Sequence, residues 1–157
     1  MREASIPKLP LTGGCQCGQL RYRVSQMPQT LYCCHCTECQ EQAASAFGMS
    51  LRVPADAVEV EGEVAVYRRD WGNPQAVECL FCPRCGSRVV HRGRGTDAGS
   101  SIKAGSLDQR DWLHPVGHIW VRSAQKWMHL DGVIYDGQPD DGYAALRAAF
   151  RQRYRID

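Results

Sequence analysis

Seven of the nine cysteines in this 157-residue chain fall into three tight clusters, Cys15-x-Cys17, Cys34-His35-Cys36-x-x-Cys39 and Cys82-x-x-Cys85. Thiols spaced this closely bridge one another poorly but converge readily on a metal ion. Four thiolates close a tetrahedral zinc, whereas three leave a coordination position open to water or substrate, so a four-plus-three division predicts one structural and one chemically accessible site. Pairing the two outer clusters would clamp the N-terminal part of the chain to its middle, a strong constraint on any fold.

A disulfide framework is the competing reading of a cysteine-rich chain. Three features count against it: the odd number of cysteines, the tightness of the clusters, and the absence of an apolar run in Met1–Gly14 that could act as a signal peptide. No stretch is apolar enough for a membrane span. The expectation is a reduced, cytoplasmic, metal-binding chain. Its length suits one domain over 1–157, with a core over about 10–138 and a C-terminal helix over about 140–154. The net charge is +2 with interspersed signs, and the densest basic stretches, Arg88–Arg94 and Arg147–Arg155, fall short of a nucleic-acid footprint. No nucleic acid or membrane is expected as a partner.

Alternation in Leu20–Val24, Val64–Tyr67 and His118–Val121 predicts short half-buried strands. Turns are expected at Gly13-Gly14, Pro54, Gly62, Gly72-Asn73-Pro74, Gly93–Gly99 and Gly137–Pro139. The chain thus reads as mainly β, with a short helix over Glu38–Ala46. A second helix is expected where Tyr143, Leu146, Phe150 and Tyr154 recur at helical spacing behind the capping pair Asp140-Asp141; its stripe reads as core packing.

Around Cys15 and Cys17, Gly13, Gly14 and Gly18 permit a tight turn that brings backbone N–H groups near sulfur. Cys82-Pro83-Arg84-Cys85-Gly86 has a zinc-knuckle pattern, with glycine after the second ligand. Cys34, Cys36 and Cys39 would then hold a second zinc through three thiolates. Spacing alone leaves other partitions open, with Cys17 or Cys79 as a fourth ligand of the middle site.

At these residues the chain resembles the glutathione-dependent formaldehyde-activating (Gfa, or centromere protein V-like) family. The likeness runs through Gly14-Cys15-x-Cys17-Gly18 with Arg21-Tyr22, Cys34-His35-Cys36-x-x-Cys39-Gln40 and Phe81-Cys82-x-x-Cys85-Gly86-Ser87. It continues through Ala104-Gly105-Ser106-Leu107-Asp108, Pro115-x-x-His118-Ile119-Trp120 and Trp127. The resemblance implies an Mss4-like β-tent of several coiled antiparallel sheets. It also implies two zinc ions per chain, a structural one on Cys15, Cys17, Cys82 and Cys85 and a catalytic one on Cys34, Cys36 and Cys39. The implied activity is of the carbon–sulfur lyase type, with glutathione as co-substrate and S-(hydroxymethyl)glutathione formed from formaldehyde. His35 stands where formaldehyde-processing members carry glycine, which leaves the electrophile as formaldehyde or a related small molecule. The alternative is a non-catalytic zinc module that binds a thiol adduct or a protein partner.

Other residues carry weaker expectations. His35 reads as a spacer pointing away from the metal, because neighbours on an extended chain alternate in direction, with an acid–base role as the alternative. His118 suits either the site or a structural role, and His91, His114 and His129 fit no pattern. Cys33 and Cys79 read as small buried side chains. Trp71, Trp112, Trp120, Trp127, Tyr67 and Tyr135 read as core or cleft wall. Any of Arg21, Arg68, Arg69, Lys103 or Arg122 could grip a glutathione carboxylate.

Overall fold

The computed structural model describes residues 5–69, 76–93 and 99–157. Trp71, the Gly72-Asn73-Pro74 turn and residues 94–98 of the glycine-rich segment lie outside the described residues. The chain is mainly β. In order it runs β1 (Leu11–Gly14), β2 (Arg21–Val24), β3 (Thr30–Cys34), α1 (Thr37–Ala43), β4 (Gly48–Val53) and β5 (Val58–Glu61). There follow β6 (Ala65–Arg69), β7 (Val77–Phe81), β8 (Arg88–Gly93), β9 (Ser100–Lys103), β10 (Gly117–Ile119), β11 (Val133–Ile134) and α2 (Ala144–Tyr154).

Two sheets result, one ordered β1-β2-β5 and one ordered β11-β10-β3-β4-β9-β8-β7-β6. Pairing is antiparallel as expected except at one edge, where β10 lies parallel to both β3 and β11. A parallel neighbour requires a long crossover, and β10 reaches β3 only after the intervening strands have been laid down. The smaller sheet is tied to the larger through the short 3-10 turn after β9, where the Tyr22 hydroxyl lies 2.8 Å from Ser106 Oγ.

Strand alternation gives the larger sheet two unlike faces. One cross-strand row, Leu31, Leu51, Ile102, Val90 and Leu80, crosses five strands in register, and each residue is at most 3 % exposed. Each fully buried aliphatic side chain of this kind contributes about 1.5–3 kcal/mol of burial. The adjacent row is Thr30, Arg52, Ser101, His91, Cys79 and Tyr67. Because successive side chains point to opposite faces, this polar row and its neighbours Cys34, Tyr32, Ser50 and Lys103 lie on the other side.

The helix α2 packs on β3, with Leu146 and Phe150 fully buried and Tyr143 and Tyr154 half-buried on the same core. It starts later than Asp140, because Gly142 and Tyr143 both take positive φ. Asp141 still caps it from outside: its Oδ2 accepts the Ala145 N–H at 3.1 Å and the Tyr135 hydroxyl at 2.6 Å. The strand expected over His118–Val121 ends at Ile119, since Trp120 takes φ +58 and opens a 3-10 turn. Similarly, Ala44 at φ +47 closes α1 before Ala46. Trp112 is in the core, whereas Trp127 and Tyr67 are 72 % and 57 % exposed, so neither is a core residue. Among the described residues no helix is long and apolar enough to cross a membrane.

Candidate metal centres and the cleft beside them

The turn between β1 and β2 carries Cys15 and Cys17, and the turn between β7 and β8 carries Cys82 and Cys85. The structure brings the four together, their sulfurs within 4.8 Å of one another. Cys17 Sγ lies 3.5 Å from Cys15 Sγ and 3.8 Å from Cys82 Sγ. Gly18 at φ +84 and Gly86 at φ +76 complete these turns in a conformation that a Cβ would strain. The sulfurs receive donors: the Leu20 N–H reaches Cys15 at 3.3 Å, and Gln19 Nε2 reaches Cys82 at 3.0 Å. The Ser87 hydroxyl, 3.3 Å away, and the Ser87 backbone N–H hold the Cys85 thiol down at about 5.

The second cluster is local. Cys34 ends β3, Cys36 caps α1 and accepts the Cys39 N–H at 3.3 Å, and Cys39 is buried in the first turn of that helix. Their three sulfurs also lie within 4.8 Å of one another. Neither alternative fourth ligand joins them: Cys17 belongs to the outer cluster, and Cys79 Sγ is directed to Gln42 Oε1 at 3.8 Å. Within the trio charge is shared unequally. Cys39 is held far below the ordinary thiol range by hydrogen bonds from the Cys34 and Cys36 thiols, with the Lys103 and Arg69 cations assisting. Cys34 is pushed far up by its bonds to Cys36 and Cys39 and by burial.

Arg69, buried on β6, aims Nη1 and Nη2 at Cys39 Sγ, each at 3.8 Å, and also donates to Gln42 Oε1. The other cations considered as carboxylate grips are engaged elsewhere. Arg21 pairs with Asp108, Arg68 with Glu78 at 3.2 Å and Arg122 with Asp136 at 2.8 Å, while Lys103 Nζ donates to Ser50 Oγ at 3.0 Å.

The trio opens onto a cleft of about 1720 Å³ whose floor is the polar face of the larger sheet, including Tyr32, Ser50, Arg52 and His91. Trp120, Tyr143 and the flank of α2 at Arg147 form its walls. The Arg52 guanidinium lies 4.4 Å from the Tyr143 ring centre. His91 is nearly fully buried, and burial together with the Lys103, Arg88 and Arg69 charges holds it well below the ordinary histidine range. Ser50, Arg52 and His91 escape a motif-based reading. For Ser50 and Arg52 the signal is the alternation in Gly48-Met49-Ser50-Leu51-Arg52-Val53, which sets them opposite the apolar side chains.

His35 is absent from this lining. It is fully buried, packs on Phe47 and puts Nε2 2.9 Å from His118 Nδ1, while His118 Nε2 lies 3.7 Å from Asp131. This is the spacer geometry, with both histidines lowered by burial. Cys33 faces the apolar side, and burial pushes its thiol up to about 12. Cys79 is fully buried. His114 and His129 have no place in the cleft lining.

A family model described as glutathione-dependent formaldehyde-activating enzyme matches residues 10–123. The chain is 33 % identical over 150 residues to a Halomonas elongata protein described as a "putative glutathione-dependent formaldehyde-activating enzyme", covering 88 % of this chain and 94 % of that one. A Rhodobacter sphaeroides protein solved by crystallography in a structural-genomics programme superposes with a TM-score of 0.52 at 17 % identity, over 66 % of this chain and 91 % of that one. That likeness shows a shared fold.

Proposed function

Since this chain belongs to the glutathione-dependent formaldehyde-activating enzyme family, we propose that it joins glutathione or a related thiol to formaldehyde or a related small electrophile, a reaction of the carbon–sulfur lyase type. Cys34, Cys36 and Cys39 form the catalytic metal centre in this reading, and Cys15, Cys17, Cys82 and Cys85 the structural one. The observation that carries it is that three sulfurs, not four, converge at a cleft.

The donor set fits zinc. Zn–S bonds of about 2.3 Å in a tetrahedron place sulfurs about 3.8 Å apart, close to the 3.5 and 3.8 Å separations in the outer cluster. Zinc in the three-cysteine site would act as a Lewis acid that favours the thiolate form of an incoming thiol. The chain's own residues supply the rest. Arg69 and Lys103 offset the negative charge gathered at Cys39, which a buried trio of thiolates could not otherwise sustain. The polar floor holds the peptide portion of the thiol, and bringing sulfur and carbonyl carbon together raises their effective concentration. The sulfur–carbon bond forms as the carbonyl π bond breaks. Its electron pair moves to oxygen, which takes up a proton equivalent to the one the thiol gave up, so nothing is oxidised or reduced.

The same reading takes residues 1–157 as one domain and places its free thiols in a reducing, cytoplasmic compartment. The test is metal per chain in the parent and in Cys36→Ala, with glutathione titrated into cobalt-substituted samples. Two metals, one responding to glutathione in the parent and not in the variant, are expected. Two metals that ignore thiols would replace this reading with a structural or partner-binding zinc module.

A further inference from the structure

We propose that Ser50 is a catalytic hydrogen-bond donor to the oxygen of the electrophile, and that Lys103 is the positioning residue that aims it. The assignment rests on the reading of the three-cysteine cluster as the thiol-binding centre.

The register of β3 and β4 sets Gly48 opposite Cys34 and Ser50 opposite Tyr32. Ser50 is therefore the diagonal neighbour of Cys34 on the same face, about 7–8 Å away at the backbone, and both line the cleft. On the next strand Lys103 lies opposite Ser50. Its side chain is buried, and Nζ donates to Ser50 Oγ at 3.0 Å. Gly48 makes room for this arrangement. A Cβ there would stand 3.0 Å from Lys103 Nζ and 3.4 Å from Cys39 Cβ, so the ammonium occupies the space beside Cys39 that a side chain would claim.

The direction of the hydrogen bond settles what Ser50 can do. Burial lowers the proton affinity of Lys103 and the Cys39 thiolate opposes that loss; as the ammonium Lys103 has no acceptor, so it gives and Ser50 Oγ receives. The Ser50 proton cannot be spent on Lys103, and among the described residues the hydroxyl has no other hydrogen bond. It is free to point into the cleft. Donation from a charged group also polarises the hydroxyl and strengthens the bond it makes in turn. When sulfur adds to a carbonyl carbon, negative charge grows on the oxygen, and a fixed donor at that position lowers the barrier. Ser50 meets this requirement on the neighbouring strand, diagonally across from Cys34. A Lys103–Ser50 bond that merely satisfies a buried ammonium would have no such effect on the substrate.

The experiment compares the parent with Ser50→Ala, Ser50→Thr and Lys103→Met as cobalt- and zinc-loaded protein. Glutathione response of the cobalt spectrum, rate of adduct formation with formaldehyde, and calorimetric binding of preformed S-(hydroxymethyl)glutathione against S-methylglutathione are measured. Ser50→Ala is expected to keep two metals and the thiol response while forming adduct about 100-fold more slowly. The parent's preference for the hydroxylated ligand, up to about tenfold for one hydrogen bond, disappears in this variant. Ser50→Thr retains rate and preference, because it retains the hydroxyl. Lys103→Met loses part of both. A Ser50→Ala protein that responds to thiol and forms adduct at the parent rate overturns the assignment alone. A parent that ignores glutathione overturns it together with the function on which it rests.

Discussion

At Cys39 two kinds of donor meet one sulfur: neighbouring thiols from its own cluster and the guanidinium of Arg69 from a distant strand. Donors of this sort orient ligands and tune metal affinity. Arg69→Met is therefore expected to weaken metal binding at the three-cysteine site by about 10–100-fold, read by competition with a chromophoric chelator, and to leave the outer site unchanged. Arg69→Lys restores the charge but not the fork of two donors, so recovery should be partial. The cysteines themselves were legible in the sequence because ligation depends on residue type and short spacing. Arg69 appeared there only as one cation among several, since its contact with Cys39 requires β6 to lie against α1.

Among the elements, β4 separates core from cleft by alternation, with Leu51 and Val53 in the core and Ser50 and Arg52 lining the cleft. Leu51 sits between Leu31 and Ile102 in the apolar row and is fully buried, and Leu51→Ala should cost about 2–5 kcal/mol in urea unfolding through lost burial and the cavity left behind. The C-terminal helix tests a different force. Removing the Asp141 cap with Asp141→Ala should lower the urea midpoint and speed amide exchange in the first turn of α2. Both helices were expected from the sequence, the second through the helical spacing of Tyr143, Leu146, Phe150 and Tyr154. Their ends could not be read there, because positive φ at Tyr143 and Ala44 and the strand stop at Trp120 are imposed by packing rather than by local propensity. The alternation in β4 was present in the sequence. Which of its two polar positions would face Lys103 was not, because the partner strand is some fifty residues away.

For the whole molecule, the outer cluster joins segments 65 residues apart, whereas the trio spans a strand end and one helical turn. Loss of the long-range clamp should cost more stability. Cys85→Ser is expected to lower Tm by more than about 5 °C and Cys36→Ser by clearly less, at about 2–4 °C per kcal/mol for a chain of this size, measured by scanning calorimetry with metal content recorded. Acid sensitivity should follow the buried histidine His91. Its folded-state affinity for protons is depressed, so below the unfolded value of about 6.5 the unfolded chain binds more protons. This contribution to stability is fully present above that pH and lost as pH falls below it. Urea midpoints of the parent between pH 7.5 and 5.5 should drop more steeply than those of His91→Gln.

The sequence by itself determined the family, the mainly β architecture and the seven thiols available to metal, because these rest on residue types and spacings that persist whatever the chain's path. Only the tertiary structure decided that the outer clusters meet, that Cys79 stays away from the trio, and that Ser50, Arg52 and His91 form the floor of the cleft. Those outcomes depend on strand register. A one-residue slip in pairing carries every side chain of a strand to the opposite face, and register between strands this far apart in sequence is set by the burial of the whole apolar row.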